Sequence, residues 1–325
     1  MSHVPPPFDP ELAAALDLIK DVLSPGLAPD EIDAVRQGPG IQMLAELDLT
    51  LDGCFKVEDR TVPGPEGAPD ISLLICRPTA QEFVGVAQPV LYHVHGGGMV
   101  LGNNRVGVDG PLAWAKELGA VVVSVEYRLA PENPYPAQIE DVYAGLVWTA
   151  AHAAEIGGDP ERIVLAGASA GGGLSAALAL LTRDRKGPRP LGQLLMCPML
   201  DDRNETLSSH QMAGLGVWDR TANETGWGAL LGDLRGGPDV PAYAAPARAE
   251  DLSGLPPAFL DVGSAETFRD EVVAYASRLW QAGGRAELHV WPGGFHGFDG
   301  FAPQAALSQA ARAAQLTWLR RLLGD

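Results

Sequence analysis

The sequence predicts an α/β fold on a mostly parallel sheet, and three observations carry that prediction. Short apolar runs rich in β-branched residues recur through the middle of the chain. Helical patterns lie between them. The runs lack polar/apolar alternation, as strands buried on both faces of a sheet do.

The elements follow in order. Residues 9–23 predict a helix, with Asp9 to cap it, Pro10 in its first turn, and Leu12, Leu16, Ile19 and Leu23 at helical spacing. A second short helical pattern spans 29–35. Strands are predicted at 90–94, 120–125, 163–166, 194–197 and 258–262, with a more mixed one at 287–291. Helical patterns cover 139–150, 174–181, 272–280 and 305–323. Two stretches stand outside this rhythm, 1–45 and 201–245. The second carries Trp218, Trp227 and many glycines. Both are expected at one end of the sheet, as a lid.

Composition narrows the function classes. The chain has 325 residues, 46% hydrophobic and 20% charged, enough for a sizeable core and unlike a disordered chain. Acidic residues number 41 against 23 basic ones, a formal charge of −18. Such a surface repels nucleic acid and anionic lipid, so neither is expected as a partner. Cys54, Cys76 and Cys197 are too few and too scattered for a disulfide framework. No Cys-x-x-Cys or His-x-x-x-His pair offers a zinc site, so no metal is expected. The N-terminus has no basic and apolar leader, and no apolar run reaches the roughly 18 residues of a membrane span. A soluble, cytoplasmic protein is the expectation.

Three motifs carry chemistry. Gly167-Ala168-Ser169-Ala170-Gly171 follows a predicted strand and precedes a predicted helix, the setting of a nucleophile elbow. A sharp turn there lifts the serine Oγ above the strand ends. It also aims the Ala170 N–H and the helix N-terminus at a reacting oxygen. His95-Gly96-Gly97-Gly98 follows the strand at 90–94, and its glycines let backbone N–H groups approach a ligand. Neither glycine cluster fits a Walker or dinucleotide-binding pattern. His296, in Gly293-Gly294-Phe295-His296-Gly297-Phe298, lies on a loop after the last strand. The chain order Ser…acid…His makes it the candidate general base, whereas His289 falls inside a strand and reads as packing. Between them, Asp261, Glu266, Asp270 and Glu271 compete as the acid. Asp261 is inside a strand, and Asp270 and Glu271 fall in the first turn of a helix, where acids stabilise the dipole anyway. Glu266 lies on the loop between and is best placed to orient an imidazole.

Together these motifs resemble the hormone-sensitive-lipase-like family of α/β-hydrolases, the bacterial family IV esterases. Tyr127-Arg128-Leu129-Ala130-Pro131-Glu132 and Gly158-Asp159-Pro160-Glu161-Arg162-Ile163 are also typical of it. The resemblance covers roughly residues 70–320. Two positions depart from the family pattern: Ala168 stands where Asp or Thr is common, and Glu266 stands where the family's catalytic Asp aligns.

The resemblance implies an α/β-hydrolase fold: a mostly parallel eight-stranded sheet, helices on both faces, and a helical cap. The expected organisation is N-terminal cap helices at 1–45, core at 46–200, a cap insertion at 201–245, and core again at 246–325. It implies a carboxylesterase for short- to medium-chain acyl esters, acting through an acyl-enzyme without a cofactor. Ser169 is the expected nucleophile, His296 the base and Glu266 its orienting acid. Gly97, Gly98 and Ala170 are the expected oxyanion donors, and Met99, Trp218 and Trp227 the candidate pocket walls. A small-molecule ester is the expected partner, and a homodimer is among the assemblies the family forms. Two other classes compete. A catalytically silent receptor, like the plant gibberellin receptors that have lost their histidine, is disfavoured by His296. Lactone, amide or carbamate hydrolysis would use the same triad.

Overall fold

The computed structural model describes residues 3–20, 24–38, 48–83 and 85–324. Eight strands form one sheet: β1 (Phe55–Val62), β2 (Ile71–Pro78), β3 (Gln88–Val94), β4 (Val121–Val125), β5 (Gly158–Ala168), β6 (Gly192–Met196), β7 (Ala258–Gly263) and β8 (Ala286–Trp291). Their order is β1-β2-β4-β3-β5-β6-β7-β8. Strand β2 runs antiparallel to β1 and β4, and every other pair is parallel.

Ten α-helices connect and flank the strands among the described residues: α1 (Pro10–Ile19), α2 (Ile32–Arg36), α3 (Asp109–Leu118), α4 (Ala137–Ala151), α5 (Ala170–Arg185), α6 (Leu207–Gln211), α7 (Arg220–Leu231), α8 (Arg269–Gln281), α9 (Phe298–Phe301) and α10 (Ala306–Leu323).

Alternate strand residues feed two cores, because successive side chains point to opposite faces. Tyr92, Val123, Leu165 and Leu260 pack with Val142 of α4, Leu178 of α5 and Tyr275 of α8. Leu91, Val122, Val164 and Phe259 pack on the other face with Leu112 of α3 and Leu319 of α10. Both faces are therefore covered, which is why β3 and β4 are buried along their whole lengths.

Strands β3 to β8 lie where the apolar runs and the more mixed run at 287–291 place them. Strands β1 and β2 and helix α3 lie outside the runs and patterns expected from the sequence. Strand β1 carries Lys56, Glu58, Asp59 and Arg60 and is half exposed at the sheet edge, so it lacks the buried-run signature. The helix expected at 9–23 ends at Ile19. Residues 21–23, like 1–2 and 39–45 of the expected N-terminal stretch, lie outside the described residues.

The two stretches outside the α/β rhythm meet each other. The Asp219 N–H donates to Pro25 O at 2.9 Å, and Thr225 Oγ1 to Leu27 O at 2.6 Å. Gln211 reaches Val4 O at 2.8 Å. Arg36 at the end of α2 donates to Val100 O (2.8 Å) and Ala130 O (2.7 Å) and pairs with Glu132. The start of α1 sits against the far end of the chain. Asp9 N donates to Gly293 O at 3.0 Å, and Leu12 packs with Phe295 and Phe298.

Close backbone approach governs the β5–α5 junction. A Cβ on Gly171 would lie 2.0 Å from Val94 O, a contact that only backbone movement relieves. Gly228, on α7, has open space around it. We expect Gly171→Ala to destabilise by about 1–3 kcal/mol or more through overpacking. Gly228→Ala is expected to stabilise by about 0.5–1 kcal/mol through helix propensity. Chemical denaturation of the two variants beside the wild type checks both signs.

Candidate active site

The C-terminal ends of parallel strands are where open α/β sheets gather their ligands. Here β3, β5, β7 and β8 each deliver a loop to that edge. Strand β5 ends in Ser169, which has φ 58° and ψ −124° and leads directly into α5. That left-handed φ is costly for a residue with a side chain, of order 1–3 kcal/mol. Backbone bonds hold it: Ser169 N donates to Met196 O, and Ser169 O accepts from Met199 N, both at 2.9 Å.

The structure brings Ser169, His296 and Glu266 together. His296 Nε2 lies 2.9 Å from Ser169 Oγ, and its Nδ1 lies 3.1 Å from Glu266 Oε1. With its proton on Nδ1, the ring donates to the carboxylate and accepts from the hydroxyl. Gly263 N donates to the other oxygen, Glu266 Oε2, at 3.2 Å. The Phe268 ring meets the imidazole edge-on at 5.1 Å between centroids. Ser169 and His296 are each 8% exposed and Glu266 2%, so the chain of contacts sits nearly out of water.

The other three carboxylates are occupied elsewhere. Asp270 accepts from Ser208 N at 2.8 Å and pairs with Arg269. Glu271 accepts from Leu200 N at 2.7 Å, and burial raises it well above the usual carboxylate range. Asp261 faces Gln315 and Trp291.

The glycine loop after β3 lies beside the serine. A Cβ on Gly96 would be 3.4 Å from Ser169 Cβ. Gly97 and Gly98 have φ of 108° and 61°. Among the described residues no acceptor takes the N–H of Gly97, Gly98 or Ala170. The loop is fastened from beneath by the 127–132 motif. The Tyr127 ring stacks on His95 at 4.0 Å and its hydroxyl donates to His95 O at 3.0 Å. Arg128 is clamped in turn by Asp141, whose carboxylate is wholly buried. Asp141 and the His95–Tyr127 stack carry no motif-level chemistry of their own, and sequence reasoning did not single them out.

Of the candidate pocket residues, Trp218 sets its ring against Gly98, where a Cβ would come within 2.2 Å of Cη2. All three are buried in one core, with Met99 1%, Trp227 0% and Trp218 9% exposed. The grooves at 69–72 with 126–129, and beside Trp280 and Trp318, contain none of Ser169, Glu266 or His296.

Cys197 is the unexpected neighbour. Its sulfur, with Glu266 and His296, makes a group of ligand-type atoms within 4.8 Å of one another. Burial, and then the charges of Glu266, Asp261 and Asp299, raise the thiol well above its usual value. These surroundings favour the protonated thiol over the thiolate.

A serine on a sharp strand–helix turn, an imidazole on its hydroxyl and a carboxylate behind the imidazole define a hydrolase of the serine type on an α/β-hydrolase sheet. Comparison with known proteins agrees. A family model described as alpha/beta hydrolase fold matches residues 91–300. The chain is 39% identical over 273 residues to the carboxylesterase NlhH of Mycobacterium tuberculosis, covering 83% of each. It is 35% identical over 320 residues to the esterase LipI of the same organism, covering 98% of this chain and 96% of LipI. A solved bacterial heroin esterase superposes with a TM-score of 0.88 at 39% identity, covering 97% of this chain and 98% of that one. The chain belongs to the hormone-sensitive-lipase-like esterases of the α/β-hydrolase superfamily and is a carboxylic ester hydrolase. No helix among its described residues is long and apolar enough to cross a membrane.

Two buried histidines near this site give a pH signature. Burial lowers His95 to about 4, and burial together with His95 lowers His93 to about 3. Both stay neutral in the fold but take up protons when unfolded below about 6.5. Their contribution is present above that value and lost as pH falls towards 3–4. We expect His93→Asn, which removes one such proton, to show a shallower fall of Tm between pH 6.5 and 4 than the wild type. Melting curves across that range test it.

Proposed function

We propose that the protein hydrolyses short- to medium-chain acyl esters through a Ser169–His296–Glu266 triad and an acyl-enzyme. The observation that carries this reading is the unbroken relay from Ser169 Oγ through His296 to Glu266, at 2.9 and 3.1 Å. Ser169 Oγ attacks the ester carbonyl while His296 Nε2 takes its proton. The same nitrogen then protonates the leaving alcohol. Glu266 holds the Nδ1–H and balances the imidazolium charge. The developing oxyanion lies against the N–H groups of Gly97, Gly98 and Ala170, each worth roughly 3–4 kcal/mol of barrier in comparable sites. Water then enters and the steps repeat with the roles reversed.

The chain-length preference rests on closure. The described parts of 1–45 and the segment 201–245 act as a cap, held to each other at Leu27 and Thr225 and, through Arg36, to the loop that follows the glycine motif. Trp218, against Gly98, walls the acyl side. A finite pocket of this kind suits small acyl groups. The relative named as a heroin esterase fits a site that accepts esters of bulky alcohols.

Ser169→Ala is expected to fold normally and to lose activity on a chromogenic short-chain ester by several orders of magnitude. More than a tenth of the wild-type rate would remove Ser169 from the role. Glu266→Gln is expected to lower kcat by about 10²–10⁴. Asp270→Asn keeps an acceptor for Ser208 N but loses the ion pair with Arg269 and the charge at the helix start, and should cost stability of about 1 kcal/mol with kcat nearly intact. Should the Asn variant be the dead one, the acid is misassigned. Across p-nitrophenyl esters, kcat/KM should peak at short to medium chains. A maximum at palmitate would refute the capped pocket.

A further inference from the structure

Behind the His296 loop lie two carboxylates that the reaction above does not use. Gln315, on α10 and 1% exposed, places Nε2 at 3.0 Å from Asp261 Oδ2 and 3.4 Å from Asp299 Oδ2. Trp291 Nε1 donates to the same Asp261 oxygen at 3.3 Å. Asp261 is 4% exposed in the middle of β7, and its backbone oxygen accepts from Cys197 N. Asp299 stands on α9, three residues after His296. One amide thus ties the strand that leads to the acid loop to the helix that ends the histidine loop.

We propose that Asp261 and Asp299 share one proton across Gln315 and act as positioning residues that hold the His296 loop against the sheet; the inference rests on the triad reading above. Two carboxylates converging on one buried amide cannot both stay ionised without a cation between them. Among the groups around them the one cation is Arg312, on the Asp299 side. Cys197 favours the protonated thiol, Glu266 is a further acid, and His289 on β8 is bonded to Glu287. Arg312 lowers Asp299 only in part, and it is shared with Asp109. His296 faces Glu266 and Ser169.

The amide gives a second, independent indication. Gln315 Oε1 is buried with no donor. With Nε2 inward, as observed, the two carboxyls need a proton to relieve their repulsion. With the amide turned over, Oε1 faces the carboxyls and needs an O–H to donate to it. Either orientation requires one protonated carboxyl. The direction of titration agrees, since burial raises both acids and the Asp299 charge raises Asp261 further, against the lowering effect of the Gln315 amide on each.

A shared proton is lost as pH rises. The pair then carries two negative charges behind the loop that holds the general base. Stability should fall on the way up to that pH, because the folded state holds a proton that the unfolded chain has already released, and kcat should fall once that proton has left. KM should change little, since neither carboxyl touches substrate.

The experiment is a pH–kcat profile on a short-chain ester for wild type, Asp299→Asn and His296→Ala. In the Asn variant one charge is gone and no proton need be shared. The alkaline limb of kcat should move up by about one pH unit or more, with kcat at neutral pH lowered about threefold and KM unchanged. Asp299→Ala, which also removes the contact, should lower kcat about tenfold. Profiles of Asp299→Asn and wild type that superimpose, while His296→Ala is dead, overturn the pair and leave the triad standing. An active His296→Ala overturns both. If the Asn variant does not fold, the wild type alone decides: its Tm must fall with rising pH from about 6.5, above the range of the buried histidines, up to the pH at which kcat begins to drop, and a Tm flat across that interval refutes the proposal.

Discussion

Everything at this site depends on one backbone turn. Ser169 occupies a left-handed conformation at the junction of β5 and α5. A strained residue of this kind persists only when its surroundings over-determine it. They do so here by close contact. The place of a Cβ at Gly167 is taken by Gly171 O at 2.3 Å, that at Gly171 by Val94 O at 2.0 Å, and that at Gly173 by Met199 O at 2.1 Å. The glycines therefore let three strand ends and a helix touch without intervening side chains. The serine hydroxyl is left at the rim, and the glycine loop after β3 is drawn alongside it.

The same logic explains which parts were legible in the sequence. The elbow, the glycine loop and the histidine loop could be read because each demands glycine at fixed offsets. Buried parallel strands could be read because both faces are apolar. What stayed hidden falls into two kinds. Edge strand β1 alternates charge with hydrophobe and resembles any surface segment. Supporting contacts such as Tyr127 on His95, or Arg128 on Asp141, join residues 32 and 13 positions apart, and only the fold brings them together. The pocket walls were hardest. A tryptophan in a loop-rich stretch reads the same whether it lies on the glycine loop, as Trp218 does, or is wholly enclosed in the core, as Trp227 is.

Buried acids crowd the C-terminal edge of the sheet, and their donors distinguish them. Glu271 receives two backbone N–H groups from 200–201 and anchors that segment. Asp270 ties α8 to α6. Asp261 receives only an indole and an amide. Glu266 alone has an imidazole on one oxygen and a backbone N–H on the other. Sequence position favours Glu266 among these four because helix-start acids have a sufficient task of their own. It gives no hint that Asp261 meets Gln315, 54 residues later.

The use of glutamate on this loop has a geometric reason. At Gly263 the end of β7 presses on the histidine loop, so that a Cβ would meet Gly294 O at 2.0 Å, and Ala265 N donates to that same oxygen at 3.0 Å. This backbone contact sets the separation of the acid and histidine loops before any side chain is placed. Glu266 then folds back over its own loop, with Oε2 on Gly263 N and Oε1 on His296 Nδ1. The extra methylene spans a gap fixed by the backbone, and the bond to Gly263 N removes the freedom that a longer side chain would otherwise bring. The acid is thus oriented by the same glycine that lets the two loops touch.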